Sequence, residues 1–560
     1  MRPSRTRPAK HLTTLVVASA LGLAACTGGS TDPDATPTPT VDPGPQPEDV
    51  VATAVIPEAG MDLEVRVHPL VRAGEHVVLT VDVVPPEAPE DLVHLRGFGV
   101  TSFIASSWPP VNVRLMDLAR DVVLHVGADS DGEPVVAPED WSRFRTERGT
   151  RLQMPFAAPA DDVDALSLFF PGAPLFAQVP IIDGELPSAV HPDDVAAAEA
   201  AAATAAARAS ASPSATPDVE ETAPPEELDL DAVVEAPVFP LESTTAELDG
   251  AVQTIESTEK VEVTLGSDVL FAFDSADLTP ESADAVALVA QRLAEREAGS
   301  VEVVGHTDDQ ADDTYNLDLS RRRAQAVADA LEAQVAGSGH RMRVAGRGES
   351  EPVVPNDSEE NRALNRRVTV SLTSKVVTRT DVTTTGELPP FGGVVGTAGT
   401  PVRVESGSRV WEADATARRV HGHVVVDLTV HGADEEDGNH TAIGFMRGFG
   451  THRLGDTIAP HENTARATVL QGATRLFPLD YRVGENEAYP DGEWFTASDL
   501  HAGHWVDGGQ TRTYSFVYPR LDVDTLAFQI GTGIAFDTDV RLLDVPVAPG
   551  DEVATPGPRD

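Results

Sequence analysis

A chain of 560 residues, 41% of them hydrophobic, is long enough for several domains and apolar enough to give each a core. Ninety acidic residues against 41 basic ones leave a net charge of −49, which excludes nucleic acid as a partner, because phosphate recognition needs a basic footprint. The single cysteine excludes a disulfide within the chain, so hydrophobic cores alone must hold it.

In chain order, Arg2, Arg5, Arg7 and Lys10 precede an apolar stretch, residues 12–23, that is too short for a stable membrane span. Leu23-Ala24-Ala25-Cys26 follows. This resembles a bacterial lipobox, so residues 1–25 read as a signal peptide and Cys26 as the lipidated first residue of an extracytoplasmic chain tethered to the cell membrane; an ordinary secretory signal is the alternative. Residues 26–49, rich in Thr, Pro, Gly and Asp, read as an extended linker. Residues 50–184 alternate strand-like runs, such as 76–83, with turns rich in Asp, Gly and Pro, and read as an antiparallel β-sandwich of immunoglobulin-like architecture. Residues 185–236 pass from an alanine-rich stretch into Ser-Pro-Thr-Glu sequence and read as a second linker.

In the segment 250–375, Thr279-Pro280-Glu281 reads as an N-cap, a proline at the first helical position and an acid in the first turn of a helix that ends near Glu297. A second helix starts near Asn316, with Val327, Leu331 and Val335 facing a sheet and Arg323 where that stripe emerges. Short β-rich runs at 301–304, 342–344 and 368–372 complete the order β-α-β-α-β-β, a two-layer α/β sandwich. Asp308 ends a strand, and Arg323 follows 15 positions later on the helix. Such a pair would clamp a ligand that carries both an ammonium and a carboxylate. Taken alone it reads more readily as a structural ion pair, and the ordered motifs around it reverse that balance. His306 reads as a hydrogen-bonded structural residue, and Arg366 and Arg367 either hold the last strand or meet a ligand.

Five blocks in order carry a family resemblance: Phe271-Ala272-Phe273-Asp274-Ser275-Ala276-Asp277-Leu278, Gly305-His306-Thr307-Asp308, Asn316-x-x-Leu319-Ser320-x-x-Arg323-Ala324, Gly346-Arg347-Gly348-Glu349-Ser350 and Asn365-Arg366-Arg367-Val368. The segment resembles the OmpA-like peptidoglycan-binding domain, over about a fifth of the chain. The resemblance implies a ligand, the diamino acid of the peptidoglycan stem peptide, typically diaminopimelate. It further implies that Asp308 takes the ammonium and Arg323 the carboxylate, that Thr307, Asn316 and Leu319 line the pocket, and that Arg366 adds a second positive group. Ala276 departs from relatives that place a polar contact residue there. No cofactor and no metal are implied.

Residues 376–400 read as a third linker, 401–548 as a second β-sandwich and 549–560 as a tail. Met446-Arg447-Gly448-Phe449-Gly450 answers Leu95-Arg96-Gly97-Phe98-Gly99, and Asp522-Val523-Asp524-Thr525-Leu526 answers Asp162-Val163-Asp164-Ala165-Leu166. The two sandwiches therefore read as products of duplication, with an insertion in the later copy around 485–508. Arg96 and Arg447 read as holding a strand and its turn, or as part of a site. His421-Gly422-His423 would set two imidazoles on one side of a strand, with His440, His452, His461, His501 and His504 scattered beyond, yet no third and fourth zinc ligand is definable.

There is no nucleophile elbow, no HExxH motif and no Cys-His pair. With the resemblance, the chain reads as a lipid-anchored, non-enzymatic envelope protein that binds peptidoglycan noncovalently and presents two β-sandwiches to a protein or glycan partner. The other reading is a wall hydrolase that the central segment targets to its substrate.

Overall fold

The computed structural model describes residues 44–189 and 227–550, except 59–60, 88–92, 95–112, 138–142, 145–147, 380, 385, 407–408, 434–440, 443–452, 454–463, 485–491, 499–504, 507 and 532–538. Cys26, Arg96, Arg447, His440, His452, His461, His501 and His504 lie outside these residues, as do most of the first two expected linkers and the tail.

The architecture is β-rich. In the first block, β1 (Arg114–Asp117), β2 (Val122–Leu124), β3 (Ala165–Phe169) and β4 (Phe176–Asp183) lie side by side in the order β4, β3, β1, β2. The strand His76–Val84 pairs with Thr150–Ala157, and Leu79, Val81, Leu115, Leu152, Phe156 and Leu168 fill one core. The described end of the second expected linker carries a 3₁₀ turn, Leu230–Ala232, and just beyond that linker β5 (Val238–Pro240) extends this sheet past β2. β6 (Ser243–Glu247) then leaves it and pairs with β7 (Val252–Glu256).

The central segment continues with β8 (Lys260–Gly266), α1 (Ser267–Leu270), α2 (Ser282–Ala294), β9 (Ser300–His306), α3 (Asp313–Gln334), β10 (Arg341–Gly348), α4 (Glu359–Asn365) and β11 (Arg367–Thr373). Across the sheet the order is β10, β9, β11, β8, β7, β6, with only the β9 and β10 pairing parallel. Alternation decides which face is buried. Val261, Val263 and Leu265 share a core with Val286, Val289, Leu293, Val327 and Leu331 of the helices, whereas Lys260, Glu262 and Thr264 between them take the opposite face. Each such aliphatic burial contributes about 1.5–3 kcal/mol, enough to seat helices whose outer faces are charged.

Two helix starts differ from expectation. The Thr279 hydroxyl donates to Val269 O at 3.1 Å rather than capping a helix, so α2 begins later, at Ser282. Asp312 accepts from Thr314 N at 3.0 Å and Tyr315 N at 3.4 Å, and this cap starts α3 ahead of Asn316.

Residues 376–400 are not a linker throughout, since Val394–Thr397 forms a strand parallel to the last strand of the chain. In the third block, β12 (Ala467–Gln471), β13 (Thr474–Leu476), β14 (Thr525–Ile530) and β15 (Val540–Ala548) lie in the order β15, β14, β12, β13. β6 completes the row beyond β13, so the central sheet and a third-block sheet are continuous. His421 (φ 50) and Gly422 (φ 86) occupy a two-residue turn between the strands Arg409–Val420 and His423–Gly432. Positive φ at both positions suits a hairpin turn, and His421 therefore does not share a strand face with His423, contrary to expectation.

The blocks also pack on one another. Met116, Phe169 and Leu175 of the first block share a core with Tyr481, Phe495 and Val517 of the third. Residues from Pro45 onward accordingly cluster as one unit. Among the described residues, no helix is long and apolar enough to cross a membrane.

Candidate functional site

Two glycines bring α3 down onto the sheet. Gly305 and Gly346 are partners on β9 and β10. A Cβ on Gly305 would lie 2.1 Å from Ser320 O, and one on Gly346 would lie 2.6 Å from Ser320 Oγ. The same Ser320 Oγ accepts from Gly348 N at 3.0 Å, which fixes the helix at that height. Asn316 and Arg323, on either side of Ser320 along α3, thereby reach the end of β9, where Thr307 and Asp308 leave the strand.

These residues, with Leu319 and Arg366, line a cavity of about 570 Å³, so all six residues singled out in the sequence come together. Ala276 does not line it. Arg323 is 6% exposed, lies 5.2 Å from the centroid of the Phe271 ring, and donates through Nε to Ser275 O at 2.9 Å. Its two Nη groups have no hydrogen-bond partner among the described residues, and it makes no ion pair there. Burial lowers its pKa from the ordinary value, against the pull of Asp268, Tyr315, Asp274 and Asp308. Arg323 is thus a desolvated cation with its fork unoccupied.

Asp308 is not paired with Arg323, nor is it free. Its Oδ2 accepts from Arg366 Nη1 at 2.7 Å, and its Oδ1 accepts from Gln310 N at 3.2 Å. Arg366 also donates to both oxygens of Asp268, at 3.0 and 2.7 Å, and to Glu359 at 2.8 Å. The Asp268 hydrogen bond comes first in raising the Arg366 pKa, with those of Asp308 and Glu359 adding to it. Arg366, expected either to hold the last strand or to add a positive group to the pocket, thus lines the cavity with its charge engaged by three carboxylates.

Asn316 Nδ2 donates to Asp308 O at 3.2 Å and to Glu349 Oε2 at 2.7 Å, so this side chain fixes the loop that carries Asp308. The Thr307 hydroxyl is buried without a partner. His306 behind it is buried, and burial lowers its pKa to about 3, so it stays a neutral imidazole.

Among the wall residues that the sequence reading did not assign to the site, four shape its charge or its mouth. Asp268 lies 98 positions from Arg366, beyond any spacing rule, whereas Glu359 lies seven positions before it, two turns back along α4, whose C-cap is Arg366. Tyr315 donates to Asp274 at the mouth. Phe273 gave a misleading signal, since residues two apart share a face in a strand, yet here the Phe271 ring is buried and the Phe273 ring is fully exposed. The lining carries four carboxylates, Asp268, Asp274, Asp308 and Glu359, against two guanidiniums. This balance accepts a cationic group while Arg323 accepts an anionic one.

Residues 270–366 match the OmpA family. The chain is 44% identical over 106 residues to the outer membrane porin F of Pseudomonas fluorescens, which covers 19% of this chain and 32% of the porin. It is 36% identical over 112 residues to the putative lipoprotein YfiB of Escherichia coli, covering 20% of this chain and 69% of that protein. Among solved structures, it is similar to the cell wall anchor of the T6SS from Pseudomonas aeruginosa, at 36% identity over 22% of this chain and 89% of that one, with a TM-score of 0.21. The peptidoglycan-associated lipoprotein of Burkholderia pseudomallei matches at 30% identity over 18% and 86%, with a TM-score of 0.16. The match to the porin thus spans under a third of its length.

Proposed function

From the premise that this chain belongs to the OmpA family, we propose that it is a cell-envelope protein that binds peptidoglycan noncovalently through the diamino acid of the stem peptide. The observation that carries this reading is Arg323, a buried cation whose Nη groups face a cavity rich in carboxylates. The ligand carboxylate docks bidentately on Arg323. The ligand ammonium joins Asp308 beside Arg366, where Asp268 and Glu359 already provide surplus negative charge. Thr307 offers its unpartnered hydroxyl, Leu319 an apolar wall, and Asn316 positions the loop.

Anchoring by lipid on Cys26, an extracytoplasmic location, and a two-layer α/β sandwich flanked by duplicated immunoglobulin-like sandwiches complete the proposal. The row β4, β3, β1, β2, β5 has a counterpart in β15, β14, β12, β13, β6, which supports duplication. The flanking copies would present a surface to a protein or glycan, and the chain itself would not be an enzyme. Co-sedimentation with purified sacculi tests the reading: wild type is expected to pellet, and Arg323→Ala to remain in solution. Equal pelleting of the two overturns it. Cys26→Ser is expected to move the protein from the membrane fraction to the soluble extracytoplasmic fraction.

A further inference from the structure

The face of the central sheet that turns away from α2 and α3 is not open surface. Lys260, Glu262 and Thr264 of β8, Glu302 of β9 and Arg367 and Thr369 of β11 floor a groove of about 1170 Å³. The third block walls it with Arg453, Arg475, Phe477, Arg482 and Trp494. The groove is basic within an acidic protein. Its lining holds seven Lys and Arg residues against five Glu, whereas the chain holds 41 against 90 acids.

Most of these charges are matched inside the protein. Arg453 pairs with Asp480 and Glu242, Arg347 with Glu351, and Lys260 with Glu262. Arg367, Arg475 and Arg482 make no ion pair among the described residues, and on the acidic side Glu302 likewise makes none, while Glu247 takes the Thr474 hydroxyl at 3.0 Å. Arg367 donates to the carbonyls of Asn365 and Glu351, at 3.3 and 3.2 Å, and Arg475 Nε is buried with no hydrogen-bond partner. Burial lowers the pKa of Arg367 and Arg475. An incoming anion would gain these cations without first displacing a carboxylate.

The groove meets the cavity. Arg366 lines both, and His306 in the groove is followed directly by Thr307 and Asp308 in the cavity. We propose that the groove is a second contact site for the same wall polymer, in which Arg367, Arg475 and Arg482 take further stem-peptide carboxylates of the strand whose diamino acid fills the cavity. This rests on the peptidoglycan reading above. A polymer that engages both places binds more tightly than its isolated diamino acid, because the second contact forms at high effective concentration.

The test sets two probes against the full chain: a soluble stem tripeptide ending in diaminopimelate, which reaches the cavity alone, and sacculi freed of covalently attached polyanions. Combining Arg367→Gln, Arg475→Gln and Arg482→Gln is expected to weaken sacculus binding about tenfold and to leave tripeptide affinity within about twofold. Arg323→Ala is expected to lose both. Sacculus binding by the triple variant equal to wild type overturns the groove and leaves the cavity standing. Failure of wild type to bind the tripeptide overturns the cavity reading and the groove with it. A charge effect seen only with sacculi that retain phosphodiester polymers also overturns the proposal, as does loss of both probes by a triple variant with wild-type circular dichroism and unfolding midpoint.

Discussion

Arg114, where the first and third blocks meet, and Arg323, in the cavity, are buried arginines in similar settings with opposite outcomes. Arg114 lies 4.9 Å from the Phe169 centroid and Arg323 lies 5.2 Å from that of Phe271, and neither makes an ion pair among the described residues. They differ in which nitrogens are satisfied. Arg114 donates through Nη1 to Tyr481 Oη at 3.2 Å and Thr496 O at 3.0 Å, and through Nη2 to Ser498 O, while its Nε is unpartnered. Arg323 uses its Nε and leaves both Nη groups open. A guanidinium with its fork closed by carbonyls from another block is a clasp, and one with its fork open beside a cavity keeps donors for an anion.

The sharpest way to break this comparison is Arg323→Ala. Binding to diaminopimelate-containing peptide should fall by about 2–5 kcal/mol, because the ligand carboxylate would be desolvated without a partner. Stability to urea should change by less than about 1 kcal/mol, since one carbonyl hydrogen bond is lost while the burial of a charge is relieved. Arg323→Lys should recover only part of the affinity, as an ammonium cannot form the two parallel bonds of a fork. Calorimetry on the three proteins decides this, and equal affinities would mean that Arg323 reads no carboxylate.

Arg114→Ala should do the reverse. It removes the donor to the buried Thr496 and Ser498 carbonyls and to Tyr481, a loss of about 2–4 kcal/mol in unfolding free energy measured with urea, while the folded fraction keeps its peptide affinity. A variant as stable as wild type would show that the clasp is dispensable.

Acid should strain both regions in the same direction. His125, which lies 3.0 Å from Tyr481 Oη beside Arg114, and His306 behind the cavity each have a pKa lowered by burial from 6.5 to about 3. Between those values the unfolded chain binds protons that the folded chain refuses, so stability is full above 6.5 and is lost as pH falls toward 3. The urea midpoint should therefore fall from neutral to mildly acidic pH, and His306→Gln should flatten the dependence without abolishing it, because His125 remains. The smallest effect is expected from Phe273→Ala. This fully exposed ring at the cavity mouth should leave stability within about 0.5 kcal/mol. Any change in sacculus binding beyond twofold would make it a ligand contact.

The sequence by itself determined the local features. Alternation in Val261, Val263 and Leu265, the four-residue stripe of Val327 and Leu331, and the ordered blocks around Gly305 and Asn316 each depend on residues a few positions apart, where backbone periodicity dictates the facing side. Of the six cavity residues, Asp308 and Arg323 were legible from their places at a strand end and on a helix, whereas Thr307, Asn316, Leu319 and Arg366 came with the family resemblance. Tertiary structure alone decided how their charges are shared, because Arg366 meets Asp268 across 98 positions and Arg114 meets Tyr481 across 367. It also decided that His421 turns away in a hairpin, that the segment 376–400, read as a linker, supplies the strand Val394–Thr397, that β5 and β6 join the flanking sheets, and that the sheet face beneath Arg367 becomes a walled groove. A hydrogen bond between distant segments leaves no period in the chain, since its partners are brought together only by the burial of the apolar faces between them.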